Sequence, residues 1–320
     1  MNGFVLELDR VQTADREQFR CAVLAGLAHR PRAIPAKFLY DARGSALFDK
    51  ICELPEYYLT RTETEILRDH AADIAALAGP DRALLEFGSG SSVKSRLLLD
   101  AMDLALYAPI DISREHLDSS TARLRRDYPS LPIEAVCADY MSIADLPQLA
   151  PSVRRVGFFP GSSIGNLEPH EALAFFRNAR DLLGDKGALV LGVDLKKDFA
   201  RLHAAYNDSA GVTAAFTLNL LRRMNRELQG TFNLDRFRHE AFYNPVEGRI
   251  EIYFRSLSNQ SVNVAGQAFT FTAGERVHTE YSYKYDVPQL ESLVRQAGFR
   301  LERLWTDPER LFAVAYLALA

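Results

Sequence analysis

The pattern of apolar and polar positions changes character twice along the chain. Up to residue 80 the apolar positions recur at helical spacing. Residues 16–29 read as an amphipathic helix that the stretch Pro31-Arg32-Ala33-Ile34-Pro35 breaks, and residues 62–77 read as a second, ended by Gly79-Pro80. No obvious parallel-sheet unit shows in this part. From Ala83 onward, short apolar runs alternate with helical segments. Strands are expected over 83–87, 106–113, 131–140, 153–159 and 188–193. Helices are expected from Ser91 onward, over 114–127 and over 171–183. Strand–helix alternation predicts a doubly wound, mostly parallel sheet with helices on both faces. After Asp194 the period changes again. A long helix over 211–229 is followed by short alternating strands at 236–244, 249–257, 261–264 and 268–271, which suit an antiparallel sheet. A helix over 287–297 and two strands over 299–307 and 311–319 close the chain. The organisation is therefore discontinuous: residues 61–195 and 287–320 form the doubly wound domain, and residues 1–60 and 196–286 form a second, α+β lobe.

Candidate chemistry begins at the first strand–helix junction, Leu85-Glu86-Phe87-Gly88-Ser89-Gly90. Two glycines one residue apart let the backbone approach a ligand closely, and the helix after them offers free N–H groups, with Ser91 and Ser92 as hydroxyl caps. The third glycine of a dinucleotide site is missing, since position 93 is Val, and no Gly-Lys-Ser/Thr follows. The acid before the first glycine, Glu86, suits a ligand bearing an ammonium group. This points to the zwitterionic end of S-adenosylmethionine; an ordinary strand-to-helix turn is the other reading. Asp111 ends the second strand 25 positions after Glu86, where an acid accepts from ribose hydroxyls or caps the next helix. Asp139-Tyr140 ends the third strand and suits an adenine amino group and ring. The loop 160–169, at the carboxyl end of the fourth strand, lies where open α/β sheets place their ligands.

Composition narrows the classes without choosing among them. The 320 residues are 48% hydrophobic and 25% charged, and the net charge is −4, which gives no reason to expect nucleic acid or an anionic membrane as partner. No apolar run is long enough to span a bilayer, and Glu7 and Asp9 sit where a secretory signal would carry positive charge. Cys21, Cys52 and Cys137 are few, odd in number and far apart. They argue for a reducing, cytoplasmic setting and against a disulfide framework or a zinc cluster.

Several separated stretches carry a resemblance that runs nearly end to end. They are Phe38-Leu39-Tyr40-Asp41 with Gly44-Ser45; Leu54-Pro55-Glu56-Tyr57-Tyr58 with Thr60-Arg61; 86–90; Phe159-Pro160-Gly161-Ser162-Ser163-Ile164-Gly165-Asn166; Tyr206-Asn207-Asp208 with Gly211-Val212-Thr213; and Thr279-Glu280-Tyr281-Ser282-Tyr283-Lys284. The chain resembles the histidine-specific, S-adenosylmethionine-dependent Nα-methyltransferases that form hercynine in ergothioneine biosynthesis. The resemblance implies a class I methyltransferase-like fold, with residues 1–60 and 196–286 binding substrate. It implies S-adenosylmethionine as methyl donor and L-histidine as the small-molecule substrate; the donor is already activated, so no metal is needed, and a monomeric enzyme is expected. It places Tyr40, Gly88, Lys94, Asp111, Asp139 and Tyr140 around the cofactor, with Glu86 and Gly90 of the glycine turn. Tyr57 and Tyr206 would grip the substrate carboxylate, Asn166 and Thr213 would hold the α-amine, and Glu280 and Ser282 would read the imidazole. Each residue also has a plainer reading. Glu280 could pair with Lys284, Asn166 could cap a helix, and Tyr57 and Tyr206 could be core residues. Two rival functions share the scaffold: methylation of another or a modified amino acid, and binding of S-adenosylmethionine without turnover.

Overall fold

A computed structural model describes residues 2–90, 92–143, 146, 150 and 153–319. In chain order these form α1 (Asn2–Ala28), β1 (Arg32–Ala33), α2 (Ala42–Cys52), α3 (Tyr58–Ala78), β2 (Arg82–Phe87), α4 (Ser95–Ala101), β3 (Leu104–Asp111), α5 (Arg114–Asp127), β4 (Val136–Cys137), β5 (Arg154–Phe159), α6 (Pro169–Leu183), β6 (Ala188–Asp194), α7 (Phe199–Tyr206), α8 (Val212–Leu228), β7 (Phe237–Asn244), β8 (Arg249–Ser256), β9 (Gln260–Val264), β10 (Gln267–Phe271), β11 (Arg276–Tyr283), α9 (Val287–Gln296), β12 (Phe299–Thr306) and β13 (Phe312–Leu319). The chain divides into two compact units. The smaller holds residues up to Phe48, Tyr206–Phe242 and Glu251–Glu280; the larger holds Asp49–Ala205, Tyr243–Ile250 and the residues from Tyr281 onward. Residues 49–60, 196–205, 243–250 and 281–286 thus lie in the larger unit.

The larger unit is built on a seven-stranded sheet of order β12-β13-β6-β5-β2-β3-β4. β2 pairs in parallel with β3 and β5, and β5 pairs in parallel with β6; the hairpin β12–β13 joins antiparallel at β6. From β2 the chain builds outward through β3 to β4, then returns to the other side of β2 for β5 and β6. The direction therefore reverses between β2 and β5, and the crevice at the carboxyl ends of these strands is where such sheets take ligands. Every residue of β6 is buried, as a strand covered on both faces must be. Phe87, Phe159, Phe175 and Phe176 fill the layer under α6, with Phe159 and Phe175 ring centroids 4.2 Å apart. A reciprocal box between Glu168 and Glu171 opens α6, and Asp286 with Gln289 opens α9, so each orphan helix start has its acceptor.

Two sequence expectations change here. The third strand, expected over 131–140, shrinks to Val136–Cys137 plus a single bridge between Tyr107 and Ile133. It is an edge with one neighbour, and Pro132 has no N–H to donate. The helix expected from Ser91 begins at Ser95, with Lys94 at its N-cap and no side-chain cap. Ser92 has φ 57° and its N–H closes a turn onto the Ser89 carbonyl, so it cannot begin the helix. Ser91 lies outside the described residues.

The smaller unit holds a four-stranded sheet, order β1-β11-β8-β7, and the separate hairpin β9–β10. β1 pairs in parallel with β11, a pairing that two residues are too few to announce in sequence. Arg32 of β1 is buried. It donates to the carbonyls of Leu27 (2.8 Å) and Thr270 (3.0 Å), faces Glu275 at 3.2 Å and lies over the Phe271 ring at 4.2 Å. Nε and Nη2 thus have hydrogen-bond acceptors, while Nη1 has only the charge of Glu275 facing it. Residues 276–283, rich in charge and aromatics, form the strand β11, which the sequence pattern left unassigned.

Candidate functional site

At the crevice between β2 and β5 the glycine turn is held by the tip of β3. The N–H groups of Gly88 and Ser89 both donate to the Ile110 carbonyl, at 2.8 and 3.1 Å. The Gly90 N–H donates to Asp111 Oδ2 and the Ser113 N–H to Asp111 Oδ1, both at 2.9 Å. Gly88 and Gly90 have φ of 74° and 49°, left-handed values that a side chain would strain. A Cβ on Gly88 would stand 3.9 Å from the Tyr140 ring, which meets Phe159 and Phe175 edge-on at 5.2 and 5.9 Å. Asp139 accepts the Met141 N–H at 3.0 Å. Gly88, Gly90, Asp111, Asp139 and Tyr140 thus gather at one sheet edge. The bare glycine backbone, the acid beside it and the aromatic ring next to it fit a nucleoside with a short charged tail. Among the described residues no group of three or more His, Cys, Asp or Glu side chains could hold a metal ion.

Glu86 stands differently from its sequence reading. It is buried beneath the turn, where it accepts from the Ser95 hydroxyl and the Tyr107 hydroxyl. Burial pushes its carboxyl group up to about 7, against the pull of those two hydroxyl bonds. An acid so placed braces the turn from below.

Lys94, past the turn, pairs with Glu63 of α3. Glu63 is fully buried and also accepts the Gly161 N–H on both oxygens, at 3.0 and 2.9 Å. Sequence reading passed over Glu63, because one acid inside a helical run carries no signal of its own.

The loop after β5 holds Asn166 at the end of a 3-10 turn, Ser163–Asn166. Asn166 does not cap α6; Glu168 does. The Ser162 hydroxyl accepts the Asp194 N–H at 2.9 Å, which ties this loop to the end of β6. Asp194 is itself the centre of a buried group. It accepts from Tyr58 Oη at 2.8 and 2.9 Å, pairs with Lys284 Nζ at 2.7 Å and pairs with Lys197. Burial favours its neutral form, but Lys284 and Lys197 outweigh that and hold it below the usual carboxylate range. Lys197 is driven down to about 8 by burial, with Asp194 opposing. Lys284 also donates to Ser282 Oγ at 2.7 Å. Tyr57 is buried at the start of α3. Its turn is clamped by Arg61, which donates to the carbonyls of Leu54 and Pro55, both at 2.8 Å.

In the smaller unit, Tyr40 lies edge-on to Phe48 (5.7 Å) and Phe216 (5.4 Å). Next to it, Asp41 accepts from the Gly44 N–H, Asn219 and Arg226 at 2.8, 2.7 and 2.6 Å, fixing the Phe38–Ser45 stretch to α8. The carbonyl of Tyr206 accepts from His239 Nε2 at 2.9 Å, so Nδ1 is the ring's acceptor and takes the Thr217 hydroxyl at 2.9 Å. Burial lowers the His239 pKa and keeps this neutral tautomer. Thr213 stands in the first turn of α8, its N–H donating to Asp208 at 2.8 Å. Glu280 is half-buried on β11. The structure thus collects Glu86, Gly88, Gly90, Lys94, Asp111, Asp139 and Tyr140 in the larger unit with Tyr57, Asn166 and Ser282. It places Tyr40, Tyr206, Thr213 and Glu280 in the smaller.

Comparison with known proteins adds identity to this geometry. The sequence matches, over residues 19–319, the family described as "Histidine-specific methyltransferase, SAM-dependent". It is 44% identical over 306 residues to the "Histidine N-alpha-methyltransferase" of Mycolicibacterium smegmatis, covering 93% of this chain and 94% of that one. It is 32% identical over 285 residues to "Ergothioneine biosynthesis protein 1" of Neurospora crassa, covering 86% of this chain and 32% of the fungal one. The fold is similar to a solved S-adenosylmethionine-dependent methyltransferase from Clostridium acetobutylicum. Its TM-score is 0.52 at 11% identity, covering 85% of this chain and 99% of that one. The chain belongs to the histidine-specific, S-adenosylmethionine-dependent methyltransferase family.

Proposed function

We propose that this enzyme is an L-histidine Nα-methyltransferase that adds three methyl groups in succession to the α-amine, giving hercynine for ergothioneine biosynthesis. The observation that carries this reading is the family match, which takes in both compact units and all the residues assigned a role. When bound, S-adenosylmethionine supplies a methyl group already activated on a sulfonium, so the protein's part is positioning. In this reading Gly88 and Gly90 offer backbone to the donor's amino-acid end and Lys94 takes its carboxylate. Asp111 accepts from the ribose hydroxyls on lone pairs left after its two N–H bonds, Asp139 meets the adenine amino group and Tyr140 stacks on the ring. Glu86 supports the turn, and Tyr40 completes the set.

Tyr57 and Tyr206 hold the substrate carboxylate. Asn166 and Thr213 orient the α-amine without an acid that would trap it as ammonium; the amine must be neutral to attack, and a neighbouring sulfonium favours that form. Glu280 accepts an imidazole N–H, and with Ser282 it rejects side chains lacking that ring. The cofactor is assigned to the doubly wound domain and substrate recognition to residues 1–60 and 196–286. None of the three cysteines forms a disulfide, and no helix among the described residues is long and apolar enough to cross a membrane. We place the enzyme in the cytoplasm, as a monomer.

Mass spectrometry of a reaction holding S-adenosylmethionine and all twenty amino acids tests the reading. Histidine gaining three methyls is the expected result. Trimethylation of another amino acid overturns the roles of Glu280 and Ser282, and no methylation of any overturns the reading as a whole.

A further inference from the structure

We propose that Glu63 is a positioning residue: it spans the ligand crevice and aims Lys94 at the carboxylate of S-adenosylmethionine. The proposal rests on the reading above, in which Lys94 lines the cofactor site.

Lys94 follows β2, Gly161 follows β5 and Gly192 is in β6, and these three strands are neighbours in the sheet. The Glu63 carboxylate, delivered from α3, meets all three. It pairs with Lys94, accepts the Gly161 N–H on both oxygens, and lies so close to Gly192 that a Cβ there would overlap Oε1. One carboxylate therefore bridges the point between β2 and β5 where strand order reverses. Gly161 takes φ of 76°, and a Cβ on it would stand 3.4 Å from Lys94 Nζ, so backbone, carboxylate and ammonium are packed together. The burial is asymmetric. The Glu63 side chain is fully buried, whereas Lys94 keeps 18% of its side chain exposed. An ammonium has three donors and no acceptor. Glu63 takes one of the three from the buried side and fixes the direction of the rest.

Charge sets the sign of the effect. Lys94 with Glu63 is neutral, while S-adenosylmethionine carries a net positive charge on its sulfonium. Neutralising Glu63 leaves an uncompensated cation beside a cationic ligand and also frees the lysine to swing. The expected result is weaker cofactor binding, with substrate affinity little changed.

The test is calorimetric titration of the full chain with S-adenosylhomocysteine, which needs no assumption about the methyl acceptor, alongside KM measurements for both co-substrates. The variants are Glu63→Gln, Lys94→Ala and Gly192→Ala; the last displaces the carboxylate while leaving Glu63 in place. Glu63→Gln and Gly192→Ala are each expected to raise KM for S-adenosylmethionine about tenfold, to weaken S-adenosylhomocysteine, which lacks the sulfonium charge, by a smaller factor that reads the positioning alone, and to leave KM for histidine within about twofold. A merely structural role would lower thermal stability without splitting the two KM values. If Lys94→Ala binds like the wild type, the Lys94 role fails and this proposal with it. If Lys94→Ala weakens binding but the folded Glu63 and Gly192 variants do not, the positioning role alone is overturned.

Discussion

The Gly90 N–H and the Asp111 carboxylate stand 2.9 Å apart, and through that bond the tip of β3 fixes the turn that follows β2. The other Asp111 oxygen accepts the Ser113 N–H at the same distance, so one side chain sets two backbone segments at the edge of the crevice. Replacing it with alanine leaves both N–H groups without their acceptor. We expect Asp111→Ala to cost about 2 kcal/mol of stability in chemical denaturation. It should also weaken S-adenosylhomocysteine by more than the stability loss of the turn alone accounts for, with KM for histidine moving far less. Unchanged nucleoside affinity would remove Asp111 from the ribose and leave it as a turn support only.

Glu86 makes a prediction with a definite sign. Its carboxyl group is pushed up to about 7 from an ordinary value of 4.5 by burial. The folded state therefore holds this proton more tightly than the unfolded state does. The stability it confers is fully present below about pH 4.5 and is lost as pH rises through about 7. Two and a half units correspond to about 3 kcal/mol. Glu86→Gln keeps the carbonyl acceptor for Ser95 and Tyr107 but cannot ionise. In the ligand-free protein we expect it to gain stability relative to wild type as pH is raised from 5 to 8. A wild-type-minus-variant difference that stays flat across that range would show that Glu86 does not titrate there.

The outer plan of the fold was legible in the chain because hydrophobic periodicity is local. The helix over 114–127 and the strands of the buried sheet are found where the pattern puts them, within a residue or two for most. What the pattern missed depends on partners far away in sequence. β1 is two residues long and exists because β11 lies beside it. β4 is cut short by being an edge. Candidate residues at strand tips, such as Asp111 and Asp139, were visible because an acid ending an apolar run is unusual. Asp194 ends a strand in the same way and offered the same signal. Glu63 offered none, since its meaning comes from Lys94, 31 residues on, and Gly161, 98 residues on.

Asp194 is a buried carboxylate set between two cations. Lys284 and Lys197 both face it, and Tyr58 donates to it. Truncation to alanine would leave two nearly buried ammonium groups without their counter-ion, a change worth about 3–5 kcal/mol. We expect Asp194→Ala to lose that much stability at pH 7. The deficit should shrink as pH rises toward and through about 8, where Lys197 loses its proton beside Asp194; without Asp194 it loses that proton at a lower pH still. A variant whose deficit grows with pH would show that Lys197 is not the charge left stranded.

Glu280 is the residue on which substrate choice rests in the proposed function. A carboxylate has only acceptors, so in that role it selects a ring that presents an N–H. Hydrogen bonds to charged groups are worth about 2 kcal/mol, which is about thirtyfold in binding. We expect Glu280→Ala to raise KM for histidine by about that factor and to leave S-adenosylhomocysteine affinity within about twofold. Glu280→Gln keeps one acceptor and should fall between the two. The variant should also narrow the gap between histidine and amino acids with apolar rings, because rejection of those depends on burying an acceptor they cannot satisfy. Steady-state kinetics against a panel of amino acids reads all three effects. Equal loss of affinity for both co-substrates would point to a damaged fold instead, and an unchanged KM for histidine would move ring recognition away from Glu280.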